Sequence, residues 1–279
     1  MQVINTNSSA LTAATALTAN ERVMQKTMRS LSTGSRINTS SDDAAGLSIR
    51  ENMTAQINGL NAAVRNANDG INLLQTADGA LGGVTNMMQR MRELIVLAQN
   101  DTYSSAQKGA MDKEYQALLT QIGQVVTTTQ WNKMAVLTGA GGEIGTASIF
   151  SFQIGANASQ TITVTIGDQS TTTALTSIAG TLLATGTNAA SALAGIDNAL
   201  SVLNANRSAI GAGINRLEHA INNLTNVAIN TTDSRSRVTD TDYSKATSDL
   251  ARQQIIQQAG TAMLAQANQQ PASVLALLR

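Results

Sequence analysis

From Leu193 to Ala228 the apolar residues recur by threes and fours: Leu193, Ile196, Leu200, Leu203, Ile210, Ile214, Leu217, Ile221, Leu224 and Ala228. This is the spacing of one face of a helix in a coiled coil. Only Arg207 interrupts the run. A second run holds Ile57, Leu60, Val64, Ala67, Ile71 and Leu74, then Leu81, Val84, Met88, Met91, Ile95 and Ala98. Asp78 falls on its seam, and the register drifts by one position beyond it. Ser41, with Asp42 and Asp43, supplies an N-cap and first-turn acids for this helix. Unbroken from 43 to 99, it would be roughly 85 Å long at the usual rise per residue, far beyond a globular helix.

Asn68-Asp69-Gly70 has the composition of a turn, but the apolar run stays in phase on both sides, so helix is favoured over a break. Ser104-Ser105 caps a third helix with Met111, Tyr115, Leu118, Ile122 and Val125 on one face. Between 140 and 186 the texture changes. Ile149, Phe150, Phe152 and Ile154, then Thr161 to Ile166, are β-rich and predict a hairpin. Gly139 to Gly145 reads as a flexible connection and Ser170 to Thr173 as a polar loop.

A fourth pattern is divided between the chain ends. Leu17, Met24, Met28 and Leu31 share a face, with Ile4 and Leu11 leading in, and Ile256, Met263, Ala267, Val274 and Leu278 do the same at the finish. Both stripes are thin, with Asn, Gln, Thr and Ser on their flanks. Isolated helices of this kind are marginal in water. The ends are therefore expected to be disordered in the monomer and to fold on packing against copies of themselves.

Composition removes several classes of function. Among 279 residues, 18 basic and 18 acidic side chains balance to zero net charge, with no basic stripe to displace the counterions of a nucleic acid. Aromatics are 2%, which favours long elements packed through small aliphatic side chains over a thick core. Cysteine is absent and His219 is the sole histidine, so no Ser-His-Asp, Cys-His or zinc constellation can be built from the usual parts. His219 is read as a polar helix flank. The acids Asp42-Asp43 and Asp240/Asp242 are read as helix-start residues in preference to paired catalytic carboxylates. The glycines at 139, 141, 142 and 145 do not follow a strand as a phosphate loop does, and Asn66 to Gly70 lacks the glutamate of a calcium loop. No enzyme activity, cofactor or metal is expected. No apolar run approaches the roughly 20 residues that span a bilayer. Met1 to Asn20 carries neither Lys nor Arg, so a cleavable secretory signal is not expected.

Leu31-Ser-Thr-Gly-Ser-Arg-Ile-Asn-Thr-Ser-Ser-Asp-Asp-Ala-Ala-Gly-Leu47 resembles the N-terminal signature of bacterial flagellins. Arg65 to Ile71, Gln89-Arg-Met-Arg-Glu-Leu94 and Gln153-Ile-Gly-Ala-Asn157 extend the resemblance, and Gln257 to Asn268 with Val274 to Arg279 is similar to the flagellin C-terminus. The motifs fall in order across both terminal thirds, with a middle as short as in compact members. The resemblance implies a mainly α chain: long antiparallel coiled-coil-like helices form a rod, the N- and C-terminal helices pair, and a small β-hairpin sits in the middle. Residues 1–41 and 236–279 would make the terminal coiled-coil domain, 42–139 and 187–235 the rod, and 140–186 the β segment.

The same resemblance implies an extracellular filament for swimming, built by homopolymerisation through Leu17, Met24, Met28, Leu31, Ile256, Met263, Val274 and Leu278. It also implies type III export without cleavage, and an export chaperone and cap or junction proteins as partners. Some flagellins are recognised by a Toll-like innate receptor, and the matching rod positions are Arg90, Leu94 and Glu114, beside Ile95 and Leu97 where smaller or polar residues are usual. Arg90, Arg92 and Glu93 are otherwise read as a surface engaged by neighbouring subunits. Two other functions compete with the filament subunit. One is a hook–filament junction protein of the same family. The other is a receptor- or polysaccharide-binding surface protein using the β segment, whose Thr-rich face lacks an aromatic sugar platform.

Overall fold

The computed structural model describes residues 6–139, 147–169 and 189–276, with side-chain surroundings for those outside 147–148, 189 and 270–276. Among the described residues, five helices and two hairpins follow in order: α1 (Ser8–Thr33), α2 (Ala44–Ala98), α3 (Ser105–Thr128), β1 (Gln130–Trp131), β2 (Met134–Ala135), β3 (Ala147–Gln153), β4 (Thr161–Gly167), α4 (Ala189–Thr239) and α5 (Tyr243–Ala276). They form two compact units, one of Met1–Ala55 with Asn230–Arg279, the other of Gln56–Ile229. The expected connection at 140–145, the loop at 170–173, Ile4 and Leu278 lie outside the described residues.

The second unit holds the main core. α2 and α4 run antiparallel, with Leu60 and Ala63 packed with Leu224 at one level and Arg92 bonded to Asp197 at another. The helix continues through Asn68-Asp69-Gly70 without a break. The buried seam of α2 follows Leu60, Ala63, Ala67, Gly70, Leu74, Ala77, Leu81, Val84, Met88, Met91, Ile95 and Ala98, an unbroken alternation of three and four. The register drift expected beyond Asp78 is therefore absent. Ala77 occupies the deep position, Asp78 lies beside it at the edge, and Val64 and Ile71 are only half-buried. α4 behaves the same way. Ala192, Ala199 and Gly213 are buried while Leu193, Leu200 and Ile214 are half-buried, and Arg207 sits at the seam's edge. Small residues take the deepest positions because they let a neighbouring element approach the helix backbone.

At Gly70 and Gly213 that neighbour is the β3–β4 hairpin. Its strands pair in antiparallel register from Ala147↔Gly167 to Gln153↔Thr161, and β4 turns Ile162, Val164 and Ile166 inward while its threonines face out. A β-carbon on Gly70 would lie 2.9 Å from Phe152 Cδ1, and one on Gly213 would lie 2.8 Å from Val164 Cγ2. The strands thus rest directly on both helices. The hairpin's loop is shaped by Gln153, whose Nε2 donates to the carbonyls of Gly155 (3.0 Å) and Asn157 (2.6 Å). On α3, Tyr115, Ile122 and Val126 are buried, with Met111, Leu118 and Val125 half-buried. Its N-terminus carries a full capping box between Ser104 and Gln107. The two-residue hairpin β1–β2 was not expected. It turns at Asn132 and Lys133, both at positive φ.

In the first unit, the N-cap of α2 is Asp43, not Ser41. Asp43 Oδ1 accepts from the Gly46 amide at 2.9 Å, in the reach of a cap to the third helical N–H. The helix begins later than expected because Asp42 turns the chain before it. Asp42 Oδ2 accepts from the amides of Asn38 and Thr39 and the Thr39 hydroxyl, and Oδ1 meets Lys26 Nζ of α1 at 3.0 Å. Lys26 first, and then these donors, hold the Asp42 carboxyl well below the usual carboxylate range. Asp242 Oδ1 accepts from the Ser244 and Lys245 amides and so caps α5.

Candidate assembly site

The terminal helices are set side by side by their connecting loops. The Arg36 amide donates to the Thr239 carbonyl at 2.7 Å and the Thr241 amide to the Gly34 carbonyl at 2.9 Å. Ile37 is fully buried, its side chain against Gly46 in the first turn of α2, and Arg50 Nη1 holds its carbonyl at 2.9 Å. From this clamp α1 and α5 run antiparallel. Asn20 Nδ2 donates to the Gln253 carbonyl at 2.9 Å, and Asn7 Nδ2 to the Ala267 carbonyl at 2.7 Å.

The pair is thin. α1 contains no buried residue over its 26 positions, although ordering each backbone residue costs about 1–2 kcal/mol. Leu17, Met24 and Leu31 share one face and are half-buried. Met28, Ile256 and Met263 are exposed, Met263 to 64%. The side chain of Val274 lies outside the described residues, although its backbone is helical. Sequence reasoning did not single out Val23 or Ile255, both exposed, Ile255 to 66%. Ile255 begins a row with Ala259 and Ala262, all exposed at four–three spacing, and Ile256 and Met263 flank it. Helical periodicity puts this row opposite the half-buried Leu250, Gln257, Gly260 and Leu264. α5 therefore carries two seams, one toward α1 and one unpartnered. The second was legible only as an unused spacing, because alanine fills two of the three positions in its row.

The residues matched to a receptor surface lie in the second unit. Arg90 Nε donates to Glu114 Oε1 of α3 at 2.9 Å, and Arg90 Nη1 to Glu93 Oε2 at 2.9 Å. Arg90 and Glu114 are both exposed, and their hydrogen bond raises the arginine pKa further. Leu94 is buried at 2% exposure within the core. Beside them Gln89, Arg92, Glu93, Val96 and Leu97 line a shallow groove. His219 is exposed on α4. Among the described residues no helix is long and apolar enough to cross a membrane.

Long antiparallel helices with a small hairpin resting on them, and a terminal pair that buries little, define a mainly helical protein. Residues 4–141 match the bacterial flagellin N-terminal helical region and residues 193–278 the bacterial flagellin C-terminal helical region. A flagellin of Halalkalibacterium halodurans is 42% identical over 277 residues, covering 99% of this chain and 100% of the relative. A flagellin of Bacillus subtilis is 39% identical over 306 residues, covering 99% of each. A solved structure described as a flagellar hook-associated protein from Vibrio parahaemolyticus shares the fold alone: TM-score 0.60 at 12% identity, covering 71% of this chain and 100% of that one. The chain belongs to the bacterial flagellin family, and it is a structural subunit of the flagellar filament. Flagellins are structural proteins of the extracellular filament.

Proposed function

We propose that this subunit polymerises through its two terminal helices, α1 and α5, which complete their packing only against the same helices of sister molecules. The observation that carries this reading is the absence of any buried residue from α1. A fully buried Leu, Ile or Met contributes about 1.5–3 kcal/mol. The core of the second unit gathers many such residues, whereas in the first Met28, Ile255, Ile256 and Met263 stand in solvent. A neighbouring copy covering them supplies the missing term. In this reading residues 1–41 and 236–279 form the inner filament core, 42–139 and 187–235 the surrounding rod, and 140–186 a β segment carried on the rod. Leu17, Met24 and Leu31 hold the pair together, and Met28, Ile256 and Met263, with Val274 and Leu278, meet neighbours. A helix pair so thinly packed also suits passage through a narrow export channel as an unfolded, uncleaved chain, with a chaperone covering the exposed apolar residues until cap and junction proteins receive it.

Deletion of residues 1–30 or of 250–279 is expected to abolish filaments while residues 56–229 stay folded. Filaments in electron micrographs of either truncation would defeat the reading. A receptor contact at Arg90 and Glu114 is a separate reading, favoured by their exposure and fixed geometry, with buried Leu94 supporting α2 from beneath. Arg90→Ala should then lower signalling in a Toll-like receptor reporter assay without changing filament yield.

A further inference from the structure

We propose that Asn7 locks the register of the terminal helix pair at its open end, far from the loop clamp, and that Pro271 creates the acceptor it reads. α5 holds the chain's only proline, Pro271, and remains helical beyond it to Ala276. A proline inside a helix has no N–H for the carbonyl four residues earlier. That carbonyl belongs to Ala267, and it is the one that accepts from Asn7 Nδ2 at 2.7 Å. The N-cap of α1 thus repairs the defect that Pro271 makes in α5.

The same side chain has a second task. Asn7 Oδ1 accepts from the Ala10 amide at 3.0 Å and caps α1. One end of the amide needs an acceptor and the other a donor, so both contacts fix its orientation. Asp or Ser would cap equally well, but neither carries an NH2 that reaches across. The backbone clamp at Gly34, Arg36, Thr239 and Thr241 aligns the near ends of α1 and α5, whereas away from it the α5 carbonyls are engaged by their own helix and the thin apolar stripe holds the alignment only weakly. Ahead of the last turn, Pro271 leaves the Ala267 carbonyl without its helical donor. Register is specified there because an unsatisfied polar group is costly in one alignment and answered in another. Asn20, which donates to the Gln253 carbonyl at 2.9 Å, adds a contact in the same alignment but faces a carbonyl that retains its helical partner.

The test uses the full chain in reassembled filaments, and the absence of cysteine gives introduced thiols no background. Leu17→Cys with Gly260→Cys reports the native register, since Leu17 Cδ1 lies 3.3 Å from the position of a β-carbon on Gly260. Met24→Cys or Ala10→Cys, each with Gly260→Cys, reports a slip of one heptad in either direction. With a short thiol-specific crosslinker, intramolecular product is expected from the first pair alone. Adding Asn7→Ser, which keeps a capping oxygen and loses the amide donor, should lower the native-to-slipped ratio about tenfold. Adding Pro271→Ala as well restores an N–H for the Ala267 carbonyl and should return the ratio to within about twofold of the parent. If the Asn7→Ser chain does not assemble alone, it is incorporated as a minor component into filaments of the unchanged chain. A ratio unmoved by Asn7→Ser, or a loss that Pro271→Ala does not relieve, overturns the proposal. The proposal rests on assembly through the terminal helices, whose own failure would show as filaments formed without residues 1–30.

Discussion

Arg207 Nε donates to Asp78 Oδ1 across 2.9 Å, joining the two residues that interrupt the apolar runs of α4 and α2. Each looks like a flaw in its own helix. Together they occupy one level of an antiparallel pair, next to Ala77 and Asn206 on the two seams. Both side chains remain more than a third exposed, and ion pairs in that setting contribute little, about 0–1 kcal/mol. The pair aligns α2 with α4 more than it stabilises them. Asp78→Ala or Arg207→Ala should cost about 1 kcal/mol or less, with a coupling of about 0.5 kcal/mol that shrinks in high salt. A double-mutant cycle by urea unfolding of the unassembled chain measures it.

Glycines in the two long helices should respond in opposite directions. Gly79 faces open space, so Gly79→Ala is expected to stabilise the unassembled chain by about 0.5–1 kcal/mol through helix propensity. Gly70→Ala drives a methyl into the Phe152 ring and Gly213→Ala into Val164. Each should lower stability by about 1–2 kcal/mol, as overpacking does. Thermal unfolding of the three variants gives the signs directly.

Acid should weaken the first unit through Asp42. Its carboxyl titrates lower in the folded chain than in the unfolded one, chiefly because of Lys26. That stabilisation is complete above the unfolded value of about 4 and is lost as pH falls toward the lower folded value. Asp42→Asn should destabilise the loop following α1 at neutral pH, and the gap from the unchanged chain should narrow steadily below pH of about 4. Hydrogen exchange of the Asn38 and Thr39 amides across a pH series, corrected for intrinsic rates, follows this.

The outward seam of α5 should matter to filaments and not to the isolated fold. Ile255→Asn and Met263→Gln replace side chains that are already in solvent, so unfolding of residues 56–229 should not change. The critical concentration for filament formation should rise about tenfold or more if each removes about 1.4 kcal/mol of subunit contact. Sedimentation of filaments at graded protein concentrations reads it.

The long helices were legible because Leu60, Leu74, Leu81, Leu203, Ile210 and Leu217 repeat without ambiguity, and the repeat outweighed the turn-like Asn68-Asp69-Gly70. The deeper half of each seam was not, since hydropathy selects Val64, Ile71, Leu193 and Leu200 while close packing selects Ala63, Gly70, Ala192 and Ala199 one position away. The helix start moved from Ser41 to Asp43 because three residues in a row can cap and only geometry chooses. The β1–β2 hairpin escaped because Lys133 sits at positive φ, where glycine would have announced a turn. At the assembly site, Met28, Ile256 and Met263 were legible as apolar residues on thin stripes. Their outward direction was not, because facing α1 and facing a neighbour use the same spacing.

Amide hydrogen exchange of α1 and α5, compared between dilute unassembled protein and filaments, tests the central claim most directly. Both helices should exchange within seconds to minutes in the dilute chain and slowly in filaments, with α2 and α4 between residues 56 and 229 protected in both. Terminal helices equally protected in the dilute chain would contradict it.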